Sequence, residues 1–570
     1  MNKTNRELNT FQSEMKKLGH FNRKYSKKDD TIINISNLSE GFNDFGDYII
    51  KKSDDSINYV IDKICDHNGG RLILKGDQAV CPNHNWKLNL NSLKYQESFI
   101  KKSPVEYQVK KNSLYLENKS FFLENTFLKK TNKKVYIRWI NHACVHISNG
   151  SVSLITDPWI LGPAFLTGWW LDSPSPKDSI DLMNSSDYVL ISHNHPDHLH
   201  AETLNKLSKN HKIIVPNFKS KSTEVFLEKL GFNNLVILDF MEIFEIEDNV
   251  QISILKSGDF RDDSGFYLNI DGNEILLCVD SNYLNSYQLP RNIDLLCTSF
   301  ASGASGYPLI YDNHSQGNKS RILFRNRKSI QKSVSKYIEI TNPKFYLPYA
   351  GMFKEKAPRD EYIFENNKKN SFEEISKLIS NKQTRFIIPK KNKVLCLQNG
   401  TITMKEVPSF DLMDEDDIDN YINSYKKDFQ LDFDILIKYF KTSGYREKQI
   451  LQIIPTDDNF NPVGEKALYI NFYEQKYFSF PIGEILNEEI PEFNNMILKV
   501  RSESLMCLVL NYLPWEDLSI GFQCRINRFP DIYESKFWYF FTNVYVNKEN
   551  IRYSSYCGSC SIIDQNKIWL

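Results

Sequence analysis

No segment of this 570-residue chain comes near the roughly 18 uninterrupted apolar residues of a membrane span. The N-terminal MNKTNRELNTFQSEMKK likewise offers no apolar core for a signal peptide. A cytoplasmic protein with no membrane partner is therefore expected. Net charge is missing as well: 71 basic residues balance 71 acidic ones, so nothing draws the chain to nucleic acid, and no nucleic-acid partner is expected. The local clusters Lys101-Lys102 and Lys390-Lys391 with Lys393 read as solvated faces. Repeats of 20 to 50 residues are absent, which excludes solenoids and propellers. No Gly-x-Gly-x-x-Gly follows a strand, so reduced nicotinamide would have to act through another protein. The ten cysteines lack the spacing of a secreted disulfide scaffold. Cys144, Cys278, Cys297, Cys396, Cys507 and Cys524 lie in apolar runs and read as core, while Cys557 and Cys560 form a lone Cys-x-x-Cys without the second pair a zinc knuckle needs. Histidine is scarce, with 11 in the chain and none beyond His314.

What is present suits a soluble protein of several domains, because 570 residues at 41% apolar content exceed what one core usually supports. The polar first 30 residues read as a frayed helix or an extension. From about Ser36 to Glu117, short β-runs such as Tyr59-Val60-Ile61 and Arg71 to Leu74 alternate with turn residues, and the pattern is that of a small all-β module. From Val135 longer apolar strands follow (VYIRWI, VSLITD, DYVLIS, KIIVPN, QISILK, EILLCVD, KFYLPYA) with helical patterns between some of them, which indicates an α/β sandwich. Past about Ala357 the chain turns acidic and helical, then returns to paired strands and an aromatic-rich end. The expected layout is 1–127 for an extension plus the β-module, 128–360 for the sandwich and 361–570 for a C-terminal α+β domain.

Two constellations carry chemistry. The first is Cys65-Asp66-His67 followed by Cys81-Pro82-Asn83-His84. A Cys-x-His and a Cys-x-x-His on two loops can each send one thiolate to one iron and one imidazole to the other, which is the ligand set of a 2Fe-2S cluster with raised potential. Gly69-Gly70 would permit a close turn around it, and Trp86 would shield it. A zinc finger usually pairs two cysteines and then two histidines, so structural zinc is the lesser reading. The string CDHNGG through CPNHNWKL resembles the Rieske domain of ring-hydroxylating and related oxygenases.

The second constellation is SHNHPDHLH, with His193, His195, Asp197 and His198 just after the strand DYVLIS. Several imidazoles and a carboxylate on one short loop can converge on one or two metal ions. The motif resembles the second motif of the metallo-β-lactamase fold, over about residues 133 to 352. Supporting likenesses are the hairpin WINHACVHI, Asp157-Pro158 after the next strand, and Asp280 in LLCVDSN where that fold has a bridging aspartate. Departures are equally plain. The third-motif region reads LKSGDF, with Asp259 as the nearest ligand candidate, and the last strand has Tyr349 or Ala350 where a histidine is expected. A complete dizinc hydrolase site is thus not expected. The remaining set (His193, His195, Asp197, His198, Asp280 and Asp259) suits non-haem iron, one or two ions, with zinc as the alternative. His142 and His146 are expected to face the sheet or its edge, an approach to the site staying open for His142 and a structural role falling to His146.

A redox cluster on the same chain as such a pocket suggests electron delivery for oxygen activation. The order of parts, with SFASGASGYP and PYAGMF as glycine-containing loops at strand ends, resembles the CMP-N-acetylneuraminate hydroxylase family. That resemblance implies a monooxygenase acting on the N-acetyl group of a CMP-linked sialic acid, or on a related amino sugar or amine. It also implies cluster ligation by Cys65, His67, Cys81 and His84, metal binding by His193, His195, His198 and Asp280, and a catalytic role centred on His193, His195 and Asp280. The implied partners are dioxygen and an external reductase or carrier, a b5-type cytochrome or a ferredoxin. Two rivals stay open: a metal-dependent hydrolase with the cluster as a redox switch, and an electron-transfer module that turns nothing over. In the C-terminal region Trp515, Trp538, Arg525 and Arg528 read as aromatic core with surface ion-pair partners, with a substrate pocket as the alternative.

Overall fold

The computed structural model describes residues 15–544, apart from 28–30, 47, 55, 64, 67–71, 81–85, 97–99, 117–118, 219, 248, 259–261 and 380–381. At its centre two eight-stranded sheets pack face to face. One runs, in spatial order, Leu235–Leu238, Ile213–Pro216, Tyr188–Leu190, Ser153–Thr156, Cys144–Ser148, Val135–Asn141, Lys393–Gln398 and Thr401–Glu406. The other runs Lys16–His20, Glu242–Glu247, Val250–Lys256, Ser264–Ile270, Asn273–Leu277, Leu295–Thr298, Phe345–Pro348 and Arg385–Phe386. Apolar residues from both sheets, among them Ile137, Val145, Leu154, Ile252, Leu268 and Leu296, share one buried core.

Helices cover the outer faces, so the expected α/β sandwich is a four-layer αββα arrangement. The long helix Gln316–Thr341 shows how the sequence sets such an element. Ser315 caps its start by accepting from Asn318 N, Asn342 ends it in the left-handed region, and Ile330, Val334, Tyr337 and Ile338 form its buried stripe. On the opposite face Met183, Leu204 and Leu227 pack against Val189, Ile213 and Val215.

The N-terminal region is all-β, with four small sheets among the described residues: Gly41–Phe45, Tyr48–Ser53 and Ser56–Asp62; a four-stranded set from Ile73 to Tyr95; Thr31–Asn34 with Gln108–Lys110 and Ser113–Leu116; and Asn22–Lys27 with Lys119–Glu124. Cys65 is fully buried beside Ile61, Leu72, Trp86 and Tyr95. His67, Cys81 and His84 lie outside the described residues, as do Asp259, Cys557 and Cys560. The six cysteines read as core are all buried and free.

The C-terminal domain is an α+β unit. Its mixed five-stranded sheet is ordered Lys476–Pro481, Lys466–Asn471, Gln449–Thr456, Asn494–Arg501 and Cys524–Phe529. Its core, with Trp515, Phe537 and Phe541, is continuous with Trp159, Phe165, Trp169 and Phe353 from the sandwich.

Three expectations need correction. Within the first 30 residues, read as a frayed helix or an extension, Lys16–His20 is a strand that adds to the second sheet by pairing with Glu242–Glu247. The boundary at 360 cuts the first sheet, because Lys393–Gln398 pairs with Val135–Asn141, so the sandwich reaches about Glu406 and includes Lys16–His20. Lysine clusters were also misread. Lys102 is buried, 2.8 Å from Asp62 and 3.4 Å from Asp66, and Lys391 donates at 2.7 Å to Ser173 O, Ser173 Oγ and Pro174 O. In both cases the long stem lets a buried lysine gather oxygen acceptors that no local pattern announces.

Candidate metal centre

The site forms where strands of both sheets end on the same edge. Asp157 follows Ser153–Thr156, and the His193 loop follows Tyr188–Leu190. In that loop His198 N and Leu199 N both bond to His195 O at 2.9 and 2.7 Å, closing the turn that gathers the side chains. From the second sheet Asp263 immediately precedes Ser264–Ile270, and Asp280 follows Asn273–Leu277.

His142 enters from the first hairpin. The ladder between Val135–Asn141 and Cys144–Ser148 shifts register at Trp139/Asn141, and His142 holds φ +39°, backbone that a non-glycine residue adopts at a cost. Its carbonyl is pinned by Trp139 Nε1 at 2.9 Å and Ala350 N at 3.0 Å. The bulge and turn swing the imidazole off the sheet and into the site, so the expectation that His142 faces the sheet or its edge is replaced.

Three groups of ligand atoms result, each with all atoms within 4.8 Å of one another: His193, His195 and Asp263; His142, Asp197 and His198; and His193, His198 and Asp280. The first two groups are separate sets of two imidazoles and one carboxylate. The third joins them through Asp280, the position of a bridging ligand. His193 Nε2 and His195 Nδ1 stand 2.8 Å apart, close to the ~3.0 Å separation of two nitrogens bound about 2.1 Å from one ion at a right angle. In the second set His142 Nε2 and His198 Nε2 lie 3.2 and 3.4 Å from Asp197 Oδ2. Neither nitrogen completes a hydrogen bond among the described residues, and neither does Asp197 Oδ1. Buried imidazole and carboxylate atoms left in this state cost free energy unless a cation meets them, so the residues fit a pair of metal ions.

Outer contacts fix the ligand rings. Asp157 accepts from Ser192 N and Ser192 Oγ, both at 2.7 Å, and lies 3.1 Å from His198 Nδ1. Ser192 Oγ in turn is 2.9 Å from His193 Nδ1. These contacts engage the Nδ1 atoms of His193 and His198 and leave their Nε2 atoms as the ones that would bind metal. For His195 the outer partner comes from the C-terminal domain: Glu516 Oε1 is 3.1 Å from His195 Nε2. Burial alone would depress the His195 pKa, but the Glu516 carboxylate outweighs it and brings the imidazole up to about 9. Burial also opposes protonation of His198, yet Asp197 and Asp280 hold its pKa well above the ordinary value, and Asp197 is held well below its own despite burial, chiefly by His198. These opposed shifts are the mark of charge gathered at one point.

The helix Glu516–Ile520 that carries Glu516 is docked by close backbone approach. A Cβ on Gly168 would meet Gly521 O at 2.2 Å, and one on Gly521 would meet Phe165 O at 2.4 Å. Trp169 Nε1 also donates to Ile520 O at 3.0 Å. Two buried arginines fasten the same interface. Arg359 reaches Asp458, Glu503 and Thr167, and Arg501 bonds Asp360 at 2.7 Å.

A cavity of about 270 Å³ adjoins the ligands, lined by His195, Asp197, Asp263 and Asp280 and also by Tyr311, Arg528, Tyr533 and Trp538. The aromatic and arginine-bearing C-terminal segment is therefore part core and part cavity wall. Trp515 is wholly buried, whereas Trp538 and Arg528 reach the cavity.

Of the residues expected at the site, His193, His195, Asp197, His198 and Asp280 converge as a group. Asp263, four residues beyond Asp259, supplies the third-motif carboxylate, and the visible signal for it was the acidic pair Asp262-Asp263 at the mouth of a strand. Tyr349 is no ligand stand-in, since its hydroxyl accepts from Val279 N at 3.1 Å.

Residues 136–298 match the beta-lactamase superfamily domain. Among solved structures the chain is similar to CmlA, a diiron beta-hydroxylase from Streptomyces venezuelae, at 15% identity over 49% of this chain and 55% of that one, with a TM-score of 0.31; a likeness so slight carries no argument about chemistry. Full-length relatives are much nearer. Cytidine monophosphate-N-acetylneuraminic acid hydroxylase of Xenopus laevis is 30% identical over 86% of this chain and 88% of its own. The Danio rerio protein of the same name is 30% identical over 88% and 91%. With that identity sustained from the N-terminal β-module to the C-terminal domain, the chain belongs to the cytidine monophosphate-N-acetylneuraminic acid hydroxylase family of oxidoreductases.

Proposed function

We propose that this protein is a cytoplasmic monooxygenase that hydroxylates the N-acetyl group of CMP-N-acetylneuraminate, with non-haem iron at the His/Asp centre and electrons relayed by a Rieske 2Fe-2S cluster on Cys65, His67, Cys81 and His84. The observation that carries the reading is the ligand chemistry. Each ion position is served by two histidines and one carboxylate, His193, His195 and Asp263 or His142, His198 and Asp197, the donor set of oxygen-activating non-haem iron. Iron bound there would supply dioxygen activation, with one oxygen atom entering the substrate and the other leaving as water as two electrons and two protons arrive from outside.

The chain's own part is to orient and to exclude. Asp157, Ser192 and Glu516 orient the imidazoles by contacts at their outer nitrogens. Phe165, Trp169 and Phe353 wall the cavity, with the Trp169 and Phe353 rings stacked at 3.5 Å, and this apolar wall limits the water that would compete for the oxidant. The names of the full-length relatives support the substrate, and the Cys/His spacing supports the cluster. An external reductase with a b5-type cytochrome or a ferredoxin completes the electron supply, since no dinucleotide fingerprint is present in the chain.

The test is a turnover of anaerobically purified, iron-loaded protein with CMP-N-acetylneuraminate, a reductant and ¹⁸O-labelled dioxygen. The expected product gains one labelled oxygen atom and forms only with reductant present. Cleavage of the substrate without reductant, with the new oxygen drawn from water, would replace the monooxygenase by a hydrolase. Electron uptake with no product would leave only an electron carrier.

A further inference from the structure

The metal end of the cavity is rich in carboxylates: Asp197, Asp262, Asp263, Asp280 and Glu516 all line it. Arg528 is the one lysine or arginine among the described residues lining this space, and its contacts are with Tyr311 and Asp531, not with those carboxylates. Its position is prepared. Asp531 takes the Nε edge at 2.6 Å, the guanidinium lies over the Tyr311 ring at 4.3 Å, and Nη1 is 3.4 Å from Tyr311 Oη. Asp531 is itself steadied by His314, whose Nε2 lies 3.4 Å from its other oxygen. Nη2 meets no acceptor among the described residues. An arginine held on its Nε edge and stacked on an aromatic face keeps its Nη edge free for two parallel bonds to a planar or tetrahedral oxyanion. The ion pair with Asp531 therefore orients the fork without using it up.

We propose that Arg528 is the anion anchor of the substrate cavity, binding a carboxylate or phosphate oxygen pair of the substrate and thereby placing its uncharged part at the metal ligands. The inference rests on the proposed function, in which CMP-N-acetylneuraminate carries both kinds of anion, a sugar carboxylate and a phosphodiester. The polarity of the cavity sets the orientation: an anion is repelled from the carboxylate end and held at the arginine, while a neutral acyl group has no such preference and fills the remaining space. Arg528 is thus a specificity-determining residue that does not touch the reacting atoms.

The experiment is calorimetric titration of the full-length, metal-loaded protein with CMP-N-acetylneuraminate, CMP, N-acetylneuraminate and inorganic phosphate, in wild type, Arg528→Gln and Arg528→Lys. Loss of a charge-assisted fork is expected to weaken the nucleotide sugar about 10- to 100-fold in Arg528→Gln, and less in Arg528→Lys, which keeps the charge. Metal content should be unchanged in both variants. If only CMP and phosphate weaken, the anchored group is the phosphodiester; if only N-acetylneuraminate weakens, it is the carboxylate. Wild-type binding that both variants retain would overturn the anchor and leave the function standing. If the wild type binds none of the three organic ligands, the proposed substrate fails, and the anchor is then decided by phosphate, which it must bind more tightly than Arg528→Gln does. Should Arg528→Gln fail to fold, Arg528→Lys decides alone, since equal affinity there would exclude a bidentate fork.

Discussion

Glu516 offers the sharpest check on the metal centre, because it lies 321 positions from His195 yet governs how that ring is presented. With Glu516 Oε1 3.1 Å from His195 Nε2, the proton of a neutral imidazole is drawn to Nε2, which frees Nδ1 for the ion shared with His193. Removing such an outer partner typically weakens metal binding 10- to 100-fold, or about 1.4 to 2.8 kcal/mol. Glu516 is about one-third exposed, so solvent screens part of its charge and the lower half of that range is expected for Glu516→Ala. Glu516→Gln keeps a carbonyl oxygen that can accept the same bond and should lose less than tenfold. The two ions should respond unequally, since the set of His142, Asp197 and His198 makes no contact with Glu516. The assay is chelator competition with cobalt(II), followed by its visible absorption, in both variants and wild type. Equal affinity of Glu516→Ala and wild type for both ions would refute the role assigned to Glu516, and equal weakening of both ions would show that the helix had moved as a whole.

The two ligand sets can be told apart by mutation: His142→Ala should lose the ion held with Asp197 and His198 and retain the other, halving metal content by elemental analysis, whereas Asp263→Ala should lose the ion of His193 and His195. Cys65→Ser should abolish acid-labile sulfide and the paramagnetic signal of the reduced cluster while leaving cobalt binding at the His/Asp centre intact. Burial, with help from Arg138, pulls the His146 pKa from 6.5 down to about 4, so between those values the unfolded chain binds the extra proton and stability falls as the pH falls. The loss is at most about 3 kcal/mol, and His146→Gln should flatten the melting temperature against pH in that window. Asp360→Ala leaves the fully buried Arg501 without its 2.7 Å partner and should cost about 3–5 kcal/mol, read as a lower thermal midpoint at pH 7.

What could be read from the sequence was what is local. His193, His195, Asp197 and His198 sit within six residues on a strand-end loop, and a loop that short can hardly keep them apart. The αββα core was legible for a similar reason, since strands such as Leu235–Leu238 are apolar along their whole length. His142 was harder, because a register shift decides whether a hairpin histidine lies along the sheet or leaves it, and nothing in WINHACVHI fixes that shift alone. Lys16–His20 was invisible as a strand: its residues are mostly polar and at least half exposed at Lys17 and His20, and only the free edge of Glu242–Glu247 gives it a partner. Glu516 and Arg528 lie beyond any local reading. Their roles depend on Gly168 and Gly521 letting two backbones touch, and a glycine in a sequence does not say what comes against it.

The loss of two of the fold's usual histidines is better understood as a change of ion than as decay. A degenerate site would shed its remaining ligands and their supports, yet Asp157, Ser192 and Glu516 still brace the imidazoles from outside, and His142 keeps a strained backbone that sets its ring beside Asp197 and His198. With Asp263 in the third-motif position the centre holds three carboxylates, Asp197, Asp263 and Asp280, around four imidazoles. Each added carboxylate hardens the site and offsets more positive charge, so an ion that gains charge during turnover is stabilised more than one that keeps a single oxidation state. Zinc cannot change its charge and iron can. The same replacement that argues against a dizinc hydrolase therefore argues for a redox-active pair, and oxidation of the loaded protein should slow removal of its cations by chelator.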